Sequence, residues 1–257
     1  MLALLSWPVV AAQQAAAPST VLAPLVARYE AYVAGFPVVA FDFRLDEGGR
    51  GYALSGQVRT VGLLRLFYRL DLQTESQGTV GLGDLQPLFH EQTLRARGKD
   101  RKARLDYPGD GTVLTSLVPA EDPGRPKPTL QQIAHTLDPL TALLAMGHAV
   151  AQREQCEGRF AVFDGRRRYD IVLSDDGVER LAPSPAAEYA GEARRCAAVA
   201  VKIAGFSWDQ DYSPHTNEGR VWFVMPRAGA PALPLRIDFG SSWGFITVRM
   251  TGLDPAP

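Results

Sequence analysis

The chain has 257 residues, of which 46% are hydrophobic and 9% aromatic, so it can bury a sizeable core and is not disordered throughout. Its 27 basic and 28 acidic residues give a net charge of −1, which leaves no overall field to attract nucleic acid or an anionic membrane. Any charged partner must therefore be recognised locally.

The N-terminus is an apolar run of signal-peptide length that ends in small residues at Ala12. We predict a signal peptide over residues 1–12, a linker over residues 13–25, and export to the periplasm. The first basic residue is Arg28, so the usual basic start is missing and a short buried segment is the alternative. Since no later run reaches the ~18 apolar residues of a membrane helix, we expect no integral membrane span.

Alternation of apolar and polar residues begins at Val39 and predicts half-buried antiparallel strands. We expect residues 21–28 to form a short helix or lead-in, and the strands that follow to form a meander. A hairpin signal at Asp110 and Gly111 introduces the last strand of this half. The predicted strands lie at residues 39–45, 52–58, 66–72, 103–107 and 113–118.

The pattern becomes helical at Asp138, which is a favoured N-cap and is followed by Pro139, a residue suited to the first helical position. Apolar residues recur at helical spacing and leave a thin polar stripe at Thr141, His148 and Gln152. The apolar positions of this helix are Leu140, Leu143, Leu144, Gly147 and Val150. A helix this apolar is expected to be covered by sheet on most sides.

The β pattern resumes after an exposed, proline-rich connection at residues 119–128 and the helix itself. We expect turns at Asp164-Gly165 and at Asp176-Gly177. Further strands are predicted at residues 160–162, 169–173, 196–203, 220–225, 235–239 and 245–250. These features predict a single mainly-β domain over residues 26–253, built as a curved antiparallel sheet, half-barrel or β-sandwich around one central helix at about residues 138–152.

Cys156 and Cys196 are the two cysteines of the chain. An even pair behind a candidate export signal, each at the edge of a strand-like segment, predicts an intramolecular disulfide. Two inert buried thiols are the alternative.

Four segments carry a family resemblance: residues 29–32 with Gly35 and Pro37, residues 60–64, the helix start at 137–144, and residues 162–169 between the cysteines. Together they resemble the bacterial domain-of-unknown-function family 3108 (DUF3108) over about residues 26 to 206. The resemblance implies an exported, mostly β envelope protein, and it brings no activity, cofactor or catalytic residue. The tail from Trp208 to Pro257 matches less well, so its strands are predicted from alternation alone.

The segment from Gly240 to Gly244 matches the G-x-S-x-G nucleophile-elbow pattern at Ser242. That motif requires a strand-to-helix turn and a downstream histidine, whereas a strand-like segment follows here and the last histidine, His215, lies upstream. We therefore predict a hairpin turn and no catalytic residue.

The remaining candidate polar sites are weak. None of the histidines has metal-ligand spacing to another, so no metal or other cofactor is predicted. His148 is either a satisfied, partly buried imidazole or a ligand-binding residue. Asp209 and Asp211, flanked by Trp208 and Tyr212, favour a solvated loop over a calcium or sugar site, because sequence adjacency does not supply the required separation.

The chain contains two basic runs, at residues 95–104 and 166–168. The first suits an exposed hairpin limb or an edge strand protected by charge. The alternative is a local site for an anionic group such as a lipid phosphate, in which Arg97, Lys99 and Arg101 would take part.

These observations favour a non-enzymatic periplasmic envelope protein that binds a lipid or another apolar ligand beneath a helical lid. The predicted ligand-binding residues are Leu143, Leu144, Met146, His148 and Val150 on the helix and Arg97, Lys99 and Arg101 on the basic run. A structural or protein-interaction module of the envelope is the alternative, with an envelope protein as partner. A hydrolase is the weakest hypothesis, because no nucleophile, base and orienting group can be assembled from the sequence.

Overall fold

The computed structural model describes residues 23–81, 84–120, 126–182, 189–206, 218–241 and 244–255. In these residues one antiparallel sheet of 13 strands curves around a central helix. The strands are β1 (Leu25–Val33), β2 (Phe36–Gly48), β3 (Gly51–Thr60), β4 (Leu70–Val80), β5 (Leu85–Ala96), β6 (Lys99–Asp106), β7 (Leu114–Val118), β8 (Glu157–Phe163), β9 (Arg168–Leu181), β10 (Gly191–Ala204), β11 (Glu218–Val224), β12 (Leu233–Ser241) and β13 (Gly244–Asp254). The helices are α1 (Leu64–Phe67), α2 (Leu130–Ile133) and α3 (Pro139–Arg153). The predicted signal peptide lies outside the described residues.

The strand order is β7-β6-β5-β4-β3-β2-β1-β13-β12-β11-β10-β9-β8, so the first strand pairs with the last in the middle of the sheet. All other neighbours follow one another in the chain. Helix α3 contacts β8 at one edge and β3, β4 and β5 towards the other, which requires the sheet to bend around it. The prediction of a curved antiparallel sheet around a central helix is confirmed, in the form of one sheet that does not close into a barrel.

Residues 133–137, which precede α3, contact both edges of the sheet. Leu137 forms a parallel bridge to Val162 of β8, while the His135 amide donates to the carbonyl of Gly111 in the β6–β7 connection (2.8 Å). Beneath this bridge, Ile133 of α2 packs in a small apolar cluster with residues of β6 and β8 and the β6–β7 connection. The edges are thus joined by the segment leading into α3 rather than by strand pairing.

Helix α3 supplies side chains to two adjoining apolar clusters. Leu140 and Leu144 pack in the larger one, against β1, β2, β3 and β10 to β13, while Met146 and Val150 pack beside the cysteines and Phe223 in the other. The predicted N-cap is confirmed, since the Asp138 carboxylate accepts hydrogen bonds from the amides of Leu140 and Thr141.

Gly147 lies where the helix touches the β11–β12 connection. Its carbonyl accepts from the Ala232 amide at 3.0 Å, and a Cβ at Gly147 would lie 2.4 Å from the Ala232 carbonyl oxygen. A glycine on the apolar face is therefore required by close backbone approach, and not by helix propensity, which disfavours it.

Most predicted strands are confirmed, and the errors have local causes. Residues 21–28 were expected to be helical or a lead-in, but β1 begins at Leu25 because it pairs on both sides. The 66–72 strand is wrong in its first half, where α1 precedes β4. The turn expected at Asp176-Gly177 is wrong, since it lies inside β9 at an irregularity of the β9–β10 register. Strand β5 was missed because its inward position at His90 is polar.

Candidate functional site

A buried polar cluster surrounds the carboxylate of Asp138 at the start of α3. Ser76 Oγ on β4 donates to Asp138 Oδ1 (2.6 Å), and Thr141 Oγ1 donates to Oδ2 (2.6 Å). His90 on β5 places Nδ1 2.9 Å from Ser76 Oγ and 3.2 Å from Asp138 Oδ1. With Ser76, Asp138 and Thr141 at 0% and His90 at 1% exposure, the cluster is sealed from solvent.

The cluster reaches β3 through Tyr52, whose hydroxyl lies 3.0 Å from Thr141 Oγ1. Because Thr141 gives its proton to Asp138, Tyr52 is the donor in this contact. The polar stripe predicted for α3 is therefore wrong at Thr141, which faces the interior. One carboxylate thus ties the first turn of α3 to β3, β4 and β5.

The electrostatics of the cluster follow from its burial and its donors. Burial by itself would raise the pKa of Asp138, but hydrogen bonds and charge from His90, together with bonds from Ser76 and Thr141, hold that pKa below its usual value. Burial raises the pKa of Tyr52 and Tyr107, and the nearby charge of Asp138 raises both further. Both phenols therefore remain protonated donors at neutral pH.

Ser76, His90 and Asp138 do not have the geometry of a catalytic triad. In a triad the nucleophile and the acid contact opposite ring nitrogens of the histidine. Here both oxygens face Nδ1, and Ser76 gives its proton to the carboxylate. The arrangement is that of an N-cap whose acceptor capacity is filled, which is a structural role.

Two buried polar atoms at this end of the sheet have no hydrogen-bond partner among the described residues, His90 Nε2 and the hydroxyl of Tyr107. Tyr107 follows β6 and also contributes to the wall of a large open groove. Its hydroxyl is buried, so other atoms of this side chain line the groove.

The groove, called here the α3 groove, has a volume of about 760 Å³. It runs between the outer face of α3, the β4–β5 connection and the start of β8, below the His135 to Leu137 segment. Its apolar wall is formed by Val80, Leu85, Pro87, Leu137, Ala145, Ala149 and Phe160. Its polar and charged wall is formed by Asp84, Gln86, Tyr107, Thr112, Thr136, His135, His148, Gln152, Arg153, Glu157 and Arg159.

His148 belongs to this wall and is partly buried. Its Nε2 lies 3.0 Å from Glu47 Oε1 on β2, with 23% and 18% of the two side chains exposed. The contact joins the middle of α3 to the β2–β3 end of the sheet.

The structure separates the predicted ligand-binding residues into three places. Leu144, Met146 and Val150 are buried in the core, and Leu143 is partly buried between the two clusters. His148 lies on the α3 groove. The three basic residues are exposed on the β5–β6 hairpin, at the opposite end of β5 from the groove: Arg97, Lys99 and Arg101. These basic residues and the helix do not form one site.

Sequence patterns missed the groove and the Asp138 cluster. The available signal was polar residues at inward positions of neighbouring strands, since Ser76 and His90 face each other in the β4–β5 register. No apolar alternation marks these positions, and Asp138 was identified as a cap alone.

The disulfide prediction is confirmed, since Cys156 and Cys196 are bonded with their Cα atoms 5.5 Å apart. The predicted hairpin at the G-x-S-x-G segment is also confirmed, because antiparallel β12 and β13 end and begin at Ser241 and Gly244. Ser242 itself, Asp209, Asp211 and His215 lie outside the described residues.

The second basic run, at the β8–β9 turn, is engaged in local contacts. Arg166 donates to the Pro119 carbonyl, and Arg168 donates to the Gln132 carbonyl and to Asp170. Within the described ranges, no group of three or more His, Cys, Asp or Glu side chains is placed to hold a metal ion.

Comparison with known proteins gives a family and a fold. A family model described as "Protein of unknown function (DUF3108)" matches residues 28–251, which extends the resemblance into the tail that sequence motifs matched less well. No curated protein matches the chain. Among solved structures, the chain is similar to the crystal structure of a β-barrel-like protein of the domain of unknown function DUF1849 from Brucella abortus. That likeness has a TM-score of 0.55 and 13% identity, covers 90% of this chain and 97% of that one, and shows the fold alone.

Proposed function

Because this chain belongs to the family DUF3108, whose description carries no activity, we propose from the geometry that it is a non-enzymatic exported envelope protein that binds a lipid or another partly apolar molecule in the α3 groove. The observation that carries the proposal is the groove itself. Its volume of about 760 Å³ lies within the range of small-molecule sites, roughly 300–1,000 Å³.

The walls of the groove suit a molecule with an apolar part and a polar end. Half-buried Ala145 and Ala149 leave room beside α3, while Phe160 and Leu85 supply apolar surface across from them. Polar groups at the same site, including His148, would orient the ligand. The sequence pattern predicted a ligand beneath the apolar face of α3. That face instead packs in the core, and the groove is lined by the outer face of the helix.

Export is supported by the disulfide. The chain carries a buried disulfide, a bond that persists in oxidising compartments such as the periplasm. The apolar N-terminal run also favours export. None of the described helices is both long and apolar enough to cross a membrane.

A binding role without catalysis is supported by the geometry of the Ser76, His90 and Asp138 cluster. Its serine is sealed from solvent and gives its proton to the carboxylate, so Ser76 does not face the groove as an activated nucleophile.

The experiment compares one variant that fills the groove with a matched variant on the surface. Wild type, Ala149→Phe and Ala53→Phe are recovered from the periplasmic fraction, stripped of lipid, and titrated with the fluorescent apolar probe N-phenyl-1-naphthylamine. Ala53 is exposed on β3 and lies outside the groove, so it controls for the added ring. We expect Ala149→Phe to weaken probe binding about tenfold or more and Ala53→Phe to leave it unchanged, since about 1.4 kcal/mol of lost contact is a tenfold change.

Equal probe binding by all three proteins, or none by wild type, would contradict binding in the groove. Native mass spectrometry of the unstripped wild type adds a second readout, because a co-purified ligand appears as a mass shift that Ala149→Phe should lose. Recovery of the chain in the cytoplasm alone would contradict export.

A further inference from the structure

One end of the sheet carries the β1–β2, β3–β4, β5–β6 and β12–β13 connections, whereas the α3 groove involves the β4–β5 and β6–β7 connections at the other end. At the first end, large apolar side chains project into solvent from neighbouring strand ends. These residues, called here the apolar tip, are Phe36 (68% exposed), Leu63 (72%), Leu66 (76%), Phe67 (87%) and Phe245 (61%).

The β3–β4 connection, which carries three residues of the apolar tip, is held in place by hydrogen bonds at both of its ends. The Val61 amide donates to the Val38 carbonyl (2.9 Å), and the hydroxyl of Thr60 donates to the Tyr68 carbonyl (2.8 Å) while accepting from the Leu70 amide. Gly62 has φ +58°, and a Cβ there would lie 2.8 Å from the Pro37 carbonyl oxygen. The β3–β4 connection is therefore packed onto β2, while its side chains at Leu63, Leu66 and Phe67 are exposed.

Basic side chains flank the tip on the side of the β5–β6 hairpin. The β3–β4 connection at residues 62–69 and the adjoining β5–β6 hairpin at residues 95–102 together contain seven basic residues and one acidic residue, although the whole chain has a net charge of −1. Arg97 stacks over the Tyr68 ring at 5.0 Å and so links the two loops. The acidic groups nearby are paired, Asp71 with Arg65 and Asp100 with Arg95, which leaves the excess positive.

We propose that this end of the sheet docks on the surface of a bilayer that contains anionic phospholipid. Exposed Phe and Leu side chains enter the boundary between headgroups and acyl chains, and Arg and Lys beside them bind the phosphates. Exposed apolar side chains beside a cluster of basic residues match that surface in both polarity and charge. The attachment is peripheral, and it is independent of the α3 groove.

The test measures binding of the purified full chain to vesicles by co-sedimentation. We expect wild type to bind vesicles of phosphatidylcholine with phosphatidylglycerol, to bind pure phosphatidylcholine at least about tenfold more weakly, and to be released by salt. Leu66→Ser/Phe67→Ser should weaken binding about tenfold or more. Arg97→Glu/Lys99→Glu should remove the preference for phosphatidylglycerol.

Leu114→Ser is the matched control. Leu114 is 58% exposed, but it begins β7 at the opposite end of the sheet, so its variant should bind as wild type does. All variants carry the same N-terminus, so any binding by the apolar run before Ala12 is common to them. Unchanged thermal unfolding midpoints show that the exposed substitutions leave the fold intact.

The proposal is overturned if wild type binds neither vesicle, or if the Leu66/Phe67 double variant binds as tightly as wild type. If wild type does not bind vesicles and sedimentation velocity shows wild-type dimers that the double variant does not form, the tip is instead an interface between copies of the chain.

Discussion

At the scale of single residues, Asp138 has a larger part than its position as a helix cap suggests. Its carboxylate accepts from the amides of Leu140 and Thr141 and also from side chains on α3 and β4, with His90 of β5 in contact. A buried carboxylate is costly unless its acceptor sites are filled, and here they are. The residue that starts the helix therefore also fixes its position against the sheet.

We predict that Asp138→Ala lowers the free energy of unfolding by about 3 kcal/mol or more. The loss of an N-cap accounts for roughly 1 kcal/mol, and the buried hydroxyls of Ser76 and Thr141 each lose an acceptor at roughly 1–3 kcal/mol. Urea denaturation measures the change. Thr129→Ala is the control, because Thr129 caps α2 through exposed bonds and should cost about 1 kcal/mol.

The same carboxylate predicts a pH dependence. The folded-state pKa of Asp138 lies below its unfolded value of roughly 3.9, so its contribution to stability is present above that value and is lost as pH falls through the folded pKa. The difference in unfolding free energy between wild type and Asp138→Ala should shrink as pH falls below about pH 4. A difference that grows on acidification would show that the native pKa is raised instead.

At the scale of elements, α3 is defined by what it touches on two sides. Its apolar face is buried in the core, while its outer face, with Ala145, His148 and Ala149, borders the α3 groove. Gly147 lies on the buried side, where the β11–β12 connection approaches so closely that no Cβ fits. At Gly147 the tertiary contact requires glycine, although glycine has a low helix propensity.

We predict that Gly147→Ala destabilises the protein by about 1–3 kcal/mol, although alanine favours a helix by about 1 kcal/mol, because the new methyl group meets the Ala232 carbonyl. Gly51→Ala is the matched control. The nearest atom to a Cβ at Gly51 is the Gly78 carbonyl oxygen at 3.6 Å, an ordinary contact, so its unfolding free energy should change little. If Gly147→Ala stabilises the protein, the β11–β12 connection must shift to accommodate the new methyl group.

At the scale of the whole molecule, the sheet depends on two long-range connections. Strands β1 and β13 pair in the centre of the sheet, so the ends of the domain meet there. The Cys156–Cys196 disulfide, with a sequence separation of 40, ties the chain entering β8 to β10 across the intervening β9. It thereby secures the edge of the sheet beside which the α3 groove opens.

We predict that reduction of this disulfide lowers the unfolding free energy by up to about 4 kcal/mol, the chain-entropy value for a loop of this length. Urea denaturation with and without dithiothreitol measures the effect on wild type. Cys156→Ala/Cys196→Ala should be insensitive to the reductant, which separates loss of the bond from other effects of reducing conditions. If wild type is equally insensitive while its thiols become free, the bond contributes nothing to stability.

The features that sequence alone determined depend on short-range signals. The start of α3 follows from Asp138 and Pro139, and the hairpins follow from alternation and turn residues, because each involves neighbours in the chain. The fold class follows from the same short-range patterns, and the disulfide pairing could be predicted because the chain has two cysteines. Strand β5 was not predicted, because His90 at an inward position breaks the apolar alternation on which strand prediction depends.

Tertiary structure alone decided the features on which the proposed function depends. Ser76 and Asp138 are 62 residues apart in sequence, and Tyr52 and Thr141 are 89 apart, so no local pattern joins them. The α3 groove and the apolar tip arise where several connections converge, and the central β1–β13 pairing sets which connections share an end. Short-range preferences specify the elements, but only the packing of the whole chain determines which side chains are buried together and which remain exposed.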